Sequence, residues 1–150
     1  MRKLLATTND NTLTLMRLVL GAVFFLHGSQ KMLGWFGGFG FSGTMNFFTS
    51  QMHIPAVFAF LAICAEFFGS LGLIVGLLAR VAGFGIAVNM VVAILMVHFA
   101  NGPFMNWLGN QKGEGYEYHI LALALAIPII IRGAGAFSVD GALASKGQTI

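Results

Sequence analysis

Charge is what this sequence has least of. Only 9% of its 150 residues are Asp, Glu, Lys or Arg, while 57% are hydrophobic. A soluble domain carries about 25% charged residues. So few polar side chains cannot cover a water-facing surface, which excludes a water-soluble fold and predicts an integral membrane protein. The basic residues behind the net charge of +3 are scattered singly. That excludes nucleic acid as a partner, because its binding needs one basic face. Cysteine is almost absent. Cys64 stands alone inside an apolar segment, so neither an internal disulfide nor a Cys-x-x-Cys redox pair can form. Any redox chemistry must then use a bound cofactor or another subunit. Period-two alternation is also missing, which favours helices over a barrel, and there is no low-complexity tail and no internal repeat.

What is present is apolar sequence in long runs. Four segments approach the ~20 residues a helix needs to span a bilayer. They run from about 13–33, 54–78, 81–99 and 116–131. Asp10, Asn11 and Thr12 offer N-caps to the first. Pro55 suits the first turn of the second, and Pro128 is expected to kink the last turn of the fourth. Ala79 and Arg80 make a tight hairpin between the second and third. The other two connections are longer, rich in glycine and aromatics, and each holds one interfacial tryptophan, Trp35 or Trp107. Arg2, Lys3, Arg80, Arg132 and Lys146 fall on one side of a four-pass topology, with Arg17 near them; Lys31 and Lys112 fall on the other. This bias places both termini in the cytoplasm. Arg2 and Lys3 before an apolar run resemble a secretory signal, but the run is too long and no small-x-small site follows it closely. The expectation is therefore all-α: one domain over residues 1–150, an integral membrane four-helix bundle.

Within that apolar sequence Glu66 stands out. It is the sole charge between Ile54 and Leu78, and a carboxylate at that depth costs at least ~2.5 kcal/mol. Two fates are open: pairing with Lys31 or His27, or remaining protonated at neutral pH. On the first helix Arg17, His27 and Lys31 fall within an arc of about 80°, an ionisable face that should point into the bundle. Arg17, close to the inner end, is expected to snorkel to the interface. Gly72 and Gly76 form a small-xxx-small pair, expected to let another helix approach closely, within the chain or in a homo-oligomer. On the third helix Asn89 should be helix–helix glue, about 180° from His98 and so outside any site His98 joins. Glu117 and His119 are two apart, so one helix face presents only one, and Glu117, flanked by Tyr116 and Tyr118, is the one expected inside. No pair has a metal spacing such as His-x-x-x-His or Glu-x-x-His, so no metal site is predicted. A polar pocket ringed by Phe, Trp and Tyr suits a quinone, whose carbonyls take a histidine or lysine donor and whose ring takes aromatic walls.

Several stretches together resemble the DoxX family of small bacterial membrane proteins. In the first helix these are Arg17 to Gly21 and His27-Gly-Ser-Gln-Lys31 through Trp35 to Gly38. In the second they are Pro55, Ala65-Glu66-Phe67-Phe68-Gly69 and Gly76 to Arg80. His98 follows in the third, then Gly115-Tyr116-Glu117-Tyr118 and Gly133 to Asp140. The resemblance implies a four-helix protein of the inner membrane with redox associations, relatives being tied to thiosulfate:quinone oxidation, quinone resistance and oxidative stress. The leading expectation is a quinone-linked redox component. Glu66, His27 and Lys31 would carry the chemistry, and His27, Lys31, Trp35, His98, Glu117 and Tyr118 would bind the quinone. Two readings of other classes compete: a non-catalytic anchor for soluble redox enzymes, and a proton-coupled carrier.

Overall fold

The computed structural model describes residues 2–146; the side chains of Arg2 and Lys146, two members of the charge bias, lie outside what is described. Every regular element among the described residues is helical. They are α1 (Arg2–Leu5), α2 (Asn11–Leu33), α3 (Gly40–Asn46), α4 (Ala56–Val75), α5 (Ala79–Ala93), α6 (Glu117–Arg132) and α7 (Val139–Lys146). A π turn, Phe47–Gln51, follows α3. A second π turn, Ile94–His98, and a 3-10 turn, Phe99–Asn101, prolong α5. Three helical stretches are long and apolar enough to cross a membrane: Asn11–Leu33, Ala56–Val75 and Ala79–Asn101. α6 has 16 residues and rises about 24 Å. α2 packs on α4 and α6, and α5 packs on the same two, so the four long helices close a ring.

Side-chain size is sorted as lipid requires. The interior is built largely from small residues, among them Ala59, Ala79, Gly83, Ala122 and Ala126, joined by Leu20, Phe24, Leu73 and Ile86. The outside carries Leu15, Val57, Phe58, Phe68, Phe84 and Leu121, all exposed. Soluble proteins rarely expose contiguous apolar surface on this scale. Inside a bilayer the same surface is solvated, and small interior residues let helices approach. The chain is a helical membrane protein.

The ends of the helices follow their local chemistry. The Asp10 carboxylate accepts from Thr12 N at 2.8 Å and Leu13 N at 3.3 Å, capping α2. Gly34 closes α2 at φ +74°. Gly76 closes α4 at φ +72°, where a Cβ would lie 2.5 Å from Ser138 Cβ. This corrects the small-xxx-small expectation, since Gly76 is a helix stop rather than part of a packing face. The close approach of α2 to α4 falls instead at Gly28, whose Cβ would lie 2.7 Å from the Phe67 backbone. Gly28→Ala should therefore force the two helices apart and destabilise the fold by about 1–3 kcal/mol. Thermal unfolding in nanodiscs should show the loss, and an unchanged midpoint would refute the close approach.

At the end holding Arg80 the bundle is tied by buried charge. Arg17 is 2% exposed. Its guanidinium donates to the carbonyls of Leu73 (2.7 Å), Ile74 (2.6 Å), Ala134 (2.8 Å), Ala136 (3.3 Å) and Phe137 (2.7 Å). The sequence predicted a snorkelling arginine. The structure shows one turned inward, because the last carbonyls of α4 and those of the 134–137 turn lack helical partners and need donors. Asp140, 1% exposed, accepts from Leu78 N at 2.7 Å and Ala79 N at 2.9 Å. It thereby caps the start of α5, where Leu78 sits at φ +49°.

Candidate functional site

The site grows from the glycine contact. Because Gly28 lets α2 lie against α4 beside Glu66, Lys31, one turn further along α2, meets the carboxylate. Lys31 Nζ lies 2.5 Å from Glu66 Oε2, with the side chains 27% and 8% exposed. Of the two fates open to Glu66, the structure has the ion pair. Removing Lys31 would leave the Glu66 carboxylate poorly solvated.

The pair opens on a cavity of about 430 Å³. His27, Lys31 and Phe24 come from α2, Glu66 and Ala62 from α4, and Asn89 and Met90 from α5. Tyr118 and His119 come from α6, and His98 from the π turn after α5. Phe47, Phe48 and Met52 line one flank, Met96 and Met105 another. Phe47, Val92 and Met96 line the cavity and are themselves exposed, so the cavity is open rather than sealed. Its walls are apolar and aromatic, with ionisable groups converging inside, the usual make-up of a small-molecule site.

Five residues singled out in the sequence, Glu66, Lys31, His27, His98 and Tyr118, share this cavity. Two others do not. Trp35 stacks edge-on against Phe25 and does not line it. Glu117 is not the inward residue of its pair: its Oε1 accepts from Met105 N at 2.8 Å. His119 points in, 5% exposed. A signal for this was available, since His119, Ala122, Ala126 and Ile129 recur at helical spacing and are the buried residues of α6. Asn89 and His98 also share the cavity, against the expectation that a helical wheel separates them. The π turn at Ile94–His98 takes up an extra residue and turns His98 by about 100° relative to an unbroken α-helix. Asn89 does join helices as expected, its Nδ2 donating to Ala62 O at 2.9 Å.

Aromatic and imidazole rings run through the cavity in sequence. Ring centroids are 6.0 Å apart for His27 and Tyr118, 5.4 Å for Tyr118 and His119, and 4.1 Å for His119 and His98. His98 Nδ1 donates to Glu114 O at 2.8 Å, which leaves Nε2 of the neutral ring as the acceptor. Two buried polar atoms in this row, Tyr118 Oη and His119 Nδ1, have no hydrogen-bond partner. No group of three or more His, Cys, Asp or Glu that could hold a metal occurs among the described residues.

Fold and site thus define a class: a helical membrane protein with an ionisable, aromatic-walled cavity among its helices. The chain belongs to the DoxX family, whose profile matches residues 12–99. It is also similar to a Bacillus subtilis (strain 168) protein named "Putative oxidoreductase CatD". The two are 29% identical over 126 residues, which cover 84% of this chain and 82% of the relative. No solved structure matches the chain.

Proposed function

We propose that this protein is a membrane redox component that binds a quinone in the cavity, with Glu66 handling protons. The observation that carries the reading is the Lys31–Glu66 pair, a half-buried charged donor on a buried acceptor, opening on an aromatic-walled space. Intramembrane ionisable residues of this kind mark ligand and proton pathways. Membership of the DoxX family and the relative named an oxidoreductase support the redox part. Quinone reduction takes up two electrons and two protons. In this reading Lys31 and His27 donate hydrogen bonds to a carbonyl oxygen, Phe24, Phe48 and Tyr118 wall the ring, and the carboxyl of Glu66 passes a proton. Electrons come from a soluble redox partner. In this reading both termini lie in the cytoplasm, which the bias of basic residues supports, and α6 is a fourth span of the inner membrane.

A second reading, an anchor for soluble redox enzymes, is favoured by one observation. Trp107, 84% exposed, and Leu108 form an apolar tip on the connection before α6. Trp107→Ala should weaken partner docking and leave the cavity intact.

The test is direct. Quinone extracted from the purified protein in lipid nanodiscs is quantified by mass spectrometry. Near-stoichiometric quinone is expected in the wild type, and loss in Glu66→Gln and His27→Ala. Quinone only at the level of empty nanodiscs would sink the proposal.

A further inference from the structure

We infer that Tyr118, His119 and His98 form a proton path between the Lys31–Glu66 pair and the Glu114 end of the connection before α6. The inference rests on Glu66 exchanging protons, as proposed above, and adds the route by which the proton arrives.

The row is continuous and drawn from four parts of the fold. His27 follows the ion pair one turn back along α2 from Lys31. Tyr118 comes next at 6.0 Å, then His119 at 5.4 Å and His98 at 4.1 Å, all between ring centroids. His98 is only partly buried and bonds to the Glu114 carbonyl, and Glu114 itself is exposed. The carboxylates of Glu114 and Glu117 are both engaged with backbone amides, of Asn106 at 2.7 Å and Met105 at 2.8 Å. The path therefore runs from the buried Glu66 to the partly exposed His98 beside Glu114.

Each member can pass a proton without net change. A neutral imidazole accepts a proton on one nitrogen and releases one from the other, and a phenol accepts on oxygen while giving up its own hydrogen. His98 is the outer end of the row: its Nδ1–H stays with the Glu114 carbonyl, and its Nε2 takes a proton from solvent and releases it toward His119. Tyr118 Oη and His119 Nδ1 are buried without partners. A buried polar atom left unpaired carries its full desolvation penalty. Phenylalanine would fill the same space without that penalty, so packing alone does not explain a hydroxyl and an imidazole here. The cavity holds about 430 Å³, and a water needs only ~10–15 Å³, so waters can bridge the unpaired atoms into a hydrogen-bonded line.

The experiment follows the proton on Glu66 itself. In nanodiscs, a sudden drop in pH is followed by stopped-flow infrared spectroscopy of the protonated carboxyl stretch, assigned to Glu66 by its absence in Glu66→Gln. His119→Phe and Tyr118→Phe should slow the rise of that band by on the order of tenfold or more. His53→Ala, an exposed histidine outside the cavity, should leave it unchanged. Added imidazole should restore the rate in His119→Ala, which guards against a variant that merely misfolds. Equal rates in all variants would overturn the path and leave Glu66 as a proton site. No Glu66 band at any pH would overturn the proton role of Glu66 and the path with it.

Discussion

Arg17→Lys should destabilise the protein nearly as much as Arg17→Met, by about 3–5 kcal/mol, despite keeping the charge. The guanidinium serves five carbonyls through Nε, Nη1 and Nη2 at once. An ammonium has three donors on a single atom and cannot span from Leu73 and Ile74 on one side to Ala134, Ala136 and Phe137 on the other. Leu73 O keeps Gly76 N and Ala136 O keeps Thr14 Oγ1, but the carbonyls of Ile74, Ala134 and Phe137 lose the guanidinium in a dry interior and carry their desolvation penalty. The check is thermal and denaturant unfolding in nanodiscs. Wild-type stability in the lysine variant would show that charge alone suffices and that the fork geometry is irrelevant.

A comparable loss is expected at the other end. Lys31→Met leaves Glu66 with no charge partner and should cost about 3 kcal/mol, the low end for a broken buried pair, because the Lys31 side chain is 27% exposed. Glu66→Gln should be milder, since the ammonium can move outward. The combined Lys31→Met/Glu66→Gln variant should recover most of the stability lost by Lys31→Met and still fail to retain quinone. That split separates holding the helices together from serving the ligand. Strictly additive losses in the double-mutant cycle would show that the two side chains do not interact.

The contrast between these two charged residues shows what could be read from the chain alone. Lys31 and Glu66 were legible because each is isolated in apolar sequence and therefore needs a partner. The helices were legible for the same reason: runs of ~20 apolar residues leave the backbone no alternative in lipid. Arg17 lies on the same helix face as His27 and Lys31, but its partners are backbone carbonyls at residues 134–137, and no side-chain pattern announces a carbonyl. His98 was misplaced because the helical wheel assumes an unbroken α-helix, and the π turn at Ile94–His98 has no side-chain signature here. Glu117 was preferred to His119 for its flanking tyrosines. The chain uses the Glu117 charge at the surface of α6, on the Met105 amide, and turns the imidazole inward.

Asp140 has a consequence for how the protein is made. Its carboxylate closes the start of α5 by accepting from residues 62 and 61 positions earlier. At roughly 5–20 residues per second of synthesis, the α4–α5 hairpin waits about 3–12 s for its cap. During that interval the Leu78 and Ala79 amides rely on water or on lipid headgroups. The hairpin thus enters the bilayer as an unfinished unit, and α7, made later, locks it.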